Sequence, residues 1–209
     1  MGIYRSRVLP YFMNAAMNTK ENRAIRSRVC ADLHGTVVEI GFGSGLNIPH
    51  YPSTVETVHA VEPAKLSVDI AAKRIKAGNA HISHTELNGE RIDLPSASAD
   101  SVLSTWTLCS IPNVNEALAE IRRVLKPGGL LHFVEHGIAP DSKVARRQHR
   151  IEPFTKPLFG GCHLTRDIPA MLVEAGFEIE TMNVYQHPKE PKPFGWTFEG
   201  RARVRPGVQ

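Results

Sequence analysis

The chain has 209 residues, 42% of them hydrophobic and 22% charged, with a formal net charge of +4. That length suits one domain over residues 1–209 with a sizeable buried core. Its Lys and Arg are scattered, with clusters at Arg23–Arg28, Arg122–Lys126 and Arg146–Arg150 that read as solvated helix faces, which excludes the basic stripe of a nucleic-acid binder.

In chain order, "SRVLPYFMNAAMNTKENRAIRSRVCADL" carries apolar residues three and four apart and predicts helices. Pro10 starts or kinks the first, and Asn18 or Thr19 caps the second. The pattern then changes. Val37–Ile40, Thr57–Glu62, Ala80–Thr85, Asp100–Thr105 and Leu130–Glu135 are short apolar or β-branched runs, with helices expected over Leu66–Ala77 and Val114–Leu125. Strand alternating with helix predicts right-handed βαβ crossovers and a parallel sheet. "KPGG", Lys126–Gly129, stops a helix and turns the chain into a strand. Residues 139–165 are polar and Pro-broken and are expected as a loop or lid insertion; residues 1–34 are expected as a helical lid. "IPAMLVEAG" returns as a helix, with Arg166 expected in its N-terminal part. "FEIETMNVYQ" and "WTFEGRARV" alternate with period two, and the short Pro-rich link between them makes them antiparallel neighbours. The predicted fold is therefore α/β: a doubly wound, seven-stranded, mostly parallel sheet with an antiparallel C-terminal hairpin.

The first chemical signal is "VVEIGFGSGLN". A dinucleotide fingerprint would place its third glycine at position 46, which is Leu. The observed glycines are Gly41, Gly43 and Gly45, with Glu39 just inside the strand end. S-adenosylmethionine carries no phosphate, so bare backbone still serves it, and an acid becomes useful. Glu39 can receive its ammonium, directly or through water. Glu62, in "VHAVEP", lies 21 residues beyond Gly41, at the end of the next strand, where a carboxylate can accept from both ribose hydroxyls.

Together "EIGFGSG", "AVEP", "LNGERIDLP", "DSVLSTWTLCSIP" and "RRVLKPGGLLHFVEH" resemble the class I S-adenosylmethionine-dependent methyltransferases and their Rossmann-like fold. More narrowly, "TLCSIPN", "FVEH" and "GGCHLTRD" are similar to the methyltransferase-like thiol S-methyltransferases of animals and their bacterial relatives. The animal proteins carry a hydrophobic N-terminal anchor, whereas this chain has the mixed, Arg-bearing "YRSRVLPYFMNAAM". The resemblance implies S-adenosylmethionine as cofactor and S-adenosylhomocysteine as product. It places Glu39, Gly41, Phe42, Gly43, Ser44, Gly45 and Asn47 in the glycine turn, Glu62 and Pro63 at the ribose, and Asn88, Gly89 and Glu90 at the adenine. Thr105 and Trp106 would flank the methionine part.

Methyl transfer needs alignment and exclusion of water more than a catalytic triad. A thiol acceptor gains from deprotonation, and the candidate groups are His136, after the fifth strand, and His163 in "GGCHLTR". For His136 a surface or capping role is favoured over that of a base; for His163 the two are equally open. Cys30, Cys109 and Cys162 show neither a disulfide framework nor a CxxC pattern, so no metal is expected and the compartment is expected to be reducing and cytoplasmic. Tyr4, Tyr11, Phe12, Phe154 and Phe159 give the lid an aromatic character. The expected function is methylation of a small molecule, a thiol by preference. Methylation of a phospholipid or amine at a membrane surface, with peripheral contact through the basic N-terminus, and non-catalytic cofactor binding are the alternatives. No nucleic-acid partner is expected, and the chain is expected to be a monomer or homodimer.

Overall fold

The computed structural model describes residues 7–85, 87–88 and 91–207, with only the backbone of Leu87 and Asn88. The expectations on Tyr4, Gly89, Glu90 and the side chain of Asn88 lie outside the described residues. Helices α1 (Leu9–Ala16) and α2 (Lys20–Cys30) precede β1 (Gly35–Ile40). There follow β2 (Val55–Val61), α3 (Lys65–Ala77), β3 (His81–Thr85), a two-residue pair β4 (Leu87–Asn88) and β5 (Arg91–Ile92), β6 (Ala99–Thr105), α4 (Val114–Val124) and β7 (Leu125–His136). Then come α5 (Ser142–Thr155), α6 (Ile168–Glu174), β8 (Phe177–Gln186) and β9 (Trp196–Val204).

The seven-stranded sheet has the order β3-β2-β1-β6-β7-β9-β8. The first five strands are parallel, and β9 runs antiparallel to both β7 and β8. From β1 the chain winds outward to β2 and β3, then crosses back to β6 on the other side. The crevice between β1 and β6 is the switch point at which α/β sheets bind ligands, beyond the carboxyl ends of the strands.

Alternation along the central strands divides the core in two. Val38, Val102, Leu131 and Phe133 pack with Leu118 and Ile121 of α4 and with Ile168 and Leu172 of α6. Val37, Leu103 and Val134 pack with Ile25, Val29 and Cys30 of α2 and with Leu33. Both faces are covered, which is why these strands read as continuous apolar runs.

Thr19 caps α2 as expected, its hydroxyl accepting from Asn22 N–H at 3.1 Å. Pro10 lies in the first turn of α1. Two expectations are corrected. Residues 142–155, within the segment read as a loop, form the 14-residue helix α5, capped by Asp141, whose carboxylate accepts from the backbone of Lys143 and Val144. Only Val144 and Gln148 of this helix are buried, and Gln148 clamps the preceding segment by accepting from Ala139 N–H and donating to Gly137 C=O. A helix anchored by an amide leaves no apolar stripe to read. Arg166 precedes α6, whose N-cap is Asp167, and its guanidinium instead donates to the carbonyls of Leu108 and Ile111. No helix among the described residues is long and apolar enough to cross a membrane.

Candidate active site

The turn after β1 is built from three glycines with positive φ: Gly41 at 71°, Gly43 at 56° and Gly45 at 72°. Conformation alone favours glycine there. At Gly41 space forbids anything else, because a Cβ would fall 2.2 Å from Thr107 Oγ1 and 2.8 Å from Thr107 Cβ. The turn therefore presses against the loop that leaves β6.

Glu62 closes the other side. Its carboxylate accepts from Gly43 N–H at 2.9 Å and from Ala64 N–H at 2.8 Å, so the turn and the start of the next connection share one anchor. Burial lifts its carboxyl above the usual range, against the pull of those two N–H groups. Each oxygen retains a lone pair for a ligand hydroxyl.

Glu39 is placed differently from Glu62. It is 1% exposed and its carboxylate accepts from Asn47 Nδ2 at 2.8 Å and from the Tyr51 hydroxyl. Burial pushes its carboxyl up to about 7, although the bonds from Tyr51 and Asn47 and the charge of Arg26 act in the opposite direction. Neither Glu39 nor Asn47 belongs to the wall of the adjoining cavity. Asn47 instead hands the connection on, since its Oδ1 accepts from Arg26 Nη1 at 2.6 Å.

Arg26 is the residue that sequence reasoning missed. It comes from α2, is 5% exposed, and donates also to Thr105 Oγ1 at 3.0 Å. Its guanidinium lies 4.9 Å from the ring centroid of Trp106. Burial pulls it down to about 10, which still leaves it charged at neutral pH. It lines the cavity, and its Nε is buried without a partner. One signal was legible: position 26 falls with Asn22, Ile25, Val29 and Cys30 on the buried face of α2, whereas Arg23 and Arg28 do not.

The cavity so framed measures about 650 Å³, and Arg26, Gly41, Phe42, Gly43, Ser44, Glu62, Pro63, Thr105, Trp106 and His163 all line it. Gly45 lies outside this wall; its Cβ would meet Ile48 at 2.8 Å. A further cavity of about 390 Å³ shares Gly41, Glu62, Pro63, Trp106 and Thr107 and extends to Ile92. An orphaned buried guanidinium N–H, a carboxylate with spare lone pairs and bare glycine backbone suit a ligand with a carboxylate at one end and a ribose diol elsewhere. S-adenosylmethionine is such a ligand.

A separate apolar cavity, also about 390 Å³, adjoins the large one and shares Met13, Met17, Trp106 and Ser110 with it. Phe12, Phe159, Leu164 and Phe194 supply its apolar wall, while His136, Cys162 and Glu190 supply polar groups. The two candidate histidines are thus separated: His136 faces the apolar cavity, and His163 faces the large one. His163 Nδ1 lies 3.2 Å from Glu152 Oε1; burial and the charges of Arg166 and Lys156 lower its tendency to protonate. His136 Nε2 lies 3.4 Å from Glu190 Oε2. Burial disfavours a charged His136 ring, but the neighbouring Cys109 and Glu190 outweigh it and lift the ring to about 10.

Glu135, at the end of β7, is the second residue missed. It is fully buried and accepts from Ser104 Oγ at 2.7 Å and from the backbone N–H groups of Thr107, Leu108 and Cys109 at 3.0–3.1 Å. One carboxylate thus shapes the loop that forms the seam between the cavities. In the sequence Glu135 is simply an acid at a strand end.

A family model described as a methyltransferase domain matches residues 38–133. The chain is 32% identical over 203 residues to the thiol S-methyltransferase TMT1B of Mus musculus, covering 90% of this chain and 80% of that protein. It is 35% identical over 166 residues to the Rattus norvegicus protein of the same name, covering 77% of this chain and 65% of the relative's length, just under two thirds. Among solved structures, a SAM-dependent methyltransferase from Thermotoga maritima superposes with a TM-score of 0.66 at 21% identity, covering 96% of this chain and 97% of that one.

Proposed function

Because the chain belongs to the class I S-adenosylmethionine-dependent methyltransferases, we propose that it methylates a small, largely apolar thiol. The observation that carries this reading is the apolar cavity that meets the cofactor cavity at Trp106 and Ser110. A thiol is a weakly hydrated group that an apolar wall accommodates without leaving strong donors unpaired. The naming of the mammalian relatives as thiol S-methyltransferases supports the same acceptor.

When bound, S-adenosylmethionine supplies a methyl group on an electrophilic sulfonium. Arg26, in the cavity wall, would hold the amino-acid carboxylate, with its bonds to Asn47 and Thr105 and its stacking on Trp106 fixing the plane of the guanidinium. Glu62 accepts from the ribose hydroxyls, and Gly41 and Gly43 let backbone approach the ligand. Glu39 acts at one remove, positioning Asn47. Trp106 and Ser110 occupy the seam, so the acceptor sulfur is aligned there against a largely apolar wall. Such alignment can supply ~7–11 kcal/mol of barrier reduction without a covalent intermediate.

The test is incubation with cofactor labelled in its methyl group and matched thiols, amines and phenols. Label is expected in the thioether. Transfer to an amine or phenol with none to any thiol would overturn the acceptor and leave the enzyme class; cofactor binding with no transfer would favour the non-catalytic alternative.

A second reading has its own observation. Tyr11 and Phe12 on α1, Phe154 at the end of α5, and Leu158 and Phe159 in the turn that follows it are exposed. Such a rim suits an acceptor drawn from a membrane surface, with a phospholipid or amine headgroup as nucleophile. Co-sedimentation with anionic vesicles that falls with salt, together with headgroup methylation, would favour it.

A further inference from the structure

Three residues far apart in the chain, which form no local metal motif, converge in the fold. Cys109 follows β6, His136 ends β7 and Cys162 follows α5. Cys109 Sγ and Cys162 Sγ are 3.5 Å apart, and Cys162 Sγ is 3.7 Å from His136 Nδ1. The three ligand atoms all lie within 4.8 Å of one another. A tetrahedral zinc, with Zn–S near 2.3 Å and Zn–N near 2.0 Å, needs ligand edges of roughly 3.5–3.8 Å.

We propose that Cys109, Cys162 and His136 bind a thiophilic divalent cation, zinc by chemistry, whose fourth position faces the apolar cavity. Two thiolates and one imidazole make a site that prefers zinc to a hard cation. Cys109 is buried behind, while Cys162 and His136 belong to the cavity wall, so the open position points to the acceptor space.

The surroundings support the site independently of the ligands. Glu190 stands 3.4 Å from His136 Nε2, on the side of the ring away from the sulfurs, in the place of a carboxylate that orients a metal-bound histidine. Arg166, donating to the carbonyls of Leu108 and Ile111 on either side of Cys109, sets a positive charge beside the thiolates. The two cysteine loops are tied by His163 N–H donating to Cys109 C=O at 2.8 Å. Gly161 permits that approach, since a Cβ there would lie 3.1 Å from Ser110 C=O. On binding, the ion replaces the thiol protons and any proton on the ring nitrogen facing them, and these pass to the buffer. That the fourth ligand is the acceptor's sulfur rests on the thiol reading above; the metal site does not.

The reduced, chelator-stripped protein should take up one Co²⁺ per chain with a sulfur-to-cobalt charge-transfer band and the visible absorption of a tetrahedral centre. Zinc should displace it. Cys162→Ser should weaken binding at least ~100-fold, whereas Cys30→Ser, distant in the α2 core, should not change it. Phenylmethanethiol should shift the cobalt spectrum, and benzylamine should not. Absence of a thiolate–cobalt band in the reduced wild type, or wild-type binding by Cys162→Ser, would overturn the site. An unshifted spectrum with thiol would overturn the role of the fourth position. A metal-loaded protein that methylates no thiol would remove the thiol reading alone.

Discussion

The guanidinium of Arg26 rests on the indole of Trp106, 4.9 Å from the ring centroid, where the cofactor cavity meets the apolar one. That stack joins α2 to the residue that follows β6. The N-terminal helices therefore supply part of the cavity wall.

Replacing Arg26 by Gln should weaken binding of both S-adenosylmethionine and S-adenosylhomocysteine by ~10–100-fold, since a hydrogen bond to a charged group is worth ~1.5–3 kcal/mol. Arg26→Lys should recover only part of the loss, because an ammonium that replaces Nη1 at Asn47 and Thr105 has no second nitrogen in a fixed plane to offer the ligand. Calorimetric titration measures this; an affinity unchanged within twofold would remove Arg26 from the cofactor's carboxylate.

Glu39 gives the apo protein a pH dependence of defined sign. Its carboxyl is raised from 4.5 to about 7, so between those values the folded chain holds more proton than the unfolded one. Its contribution is fully present below pH 4.5 and is lost as pH rises through about 7. The interval corresponds to ~3 kcal/mol at most. Glu39→Gln should flatten the fall in stability between pH 5 and 7.5, measured by denaturant unfolding. Parallel profiles for the two proteins would contradict the assignment.

Gly41 and Gly43 should differ despite similar φ values. Alanine at Gly43 meets only Gly41 C=O, at 3.7 Å, so its cost is the left-handed conformation, ~1–2 kcal/mol, or a few degrees in melting temperature. Alanine at Gly41 drives into all three Thr107 side-chain atoms at 2.2–2.8 Å and should cost several kcal/mol more. Thermal melts of the two variants decide; equal loss would mean that the turn relaxes away from Thr107.

Glu135→Gln should destabilise the fold by ~1–3 kcal/mol, because even with its carbonyl oxygen facing Ser104, Thr107 and Leu108 the amide NH₂ would meet the Cys109 N–H that the carboxylate now accepts. Glu135→Asp should be milder if a shorter carboxylate still reaches two of them. Equal stability of Glu135→Gln and wild type, by urea denaturation, would contradict that role.

The sheet was legible because its strands are buried on both faces and so stand out as β-branched runs between helical spacings. The C-terminal hairpin was legible from its period of two. The glycine turn and Glu62 carried the cofactor reading. The remainder depended on three-dimensional placement. Glu39 reads in the sequence as a ligand carboxylate, and its partners Tyr51 and Asn47 emerge only in the fold. Arg26 is one of three arginines in six residues, and only helix phase singles it out. Helix α5 is held by Gln148 rather than by an apolar face. Cys109, His136 and Cys162 sit about 26 residues apart on separate connections, a spacing that no local metal motif shares.

The central claim is that donor and acceptor meet at Trp106 and Ser110. A crystal structure with S-adenosylhomocysteine and the thioether product tests it most directly. The ribose is expected on Glu62, the amino-acid carboxylate on Arg26, and the thioether among Phe12, Phe159 and Phe194. Adenosyl density in the apolar cavity, or a thioether bound away from the seam, would contradict it.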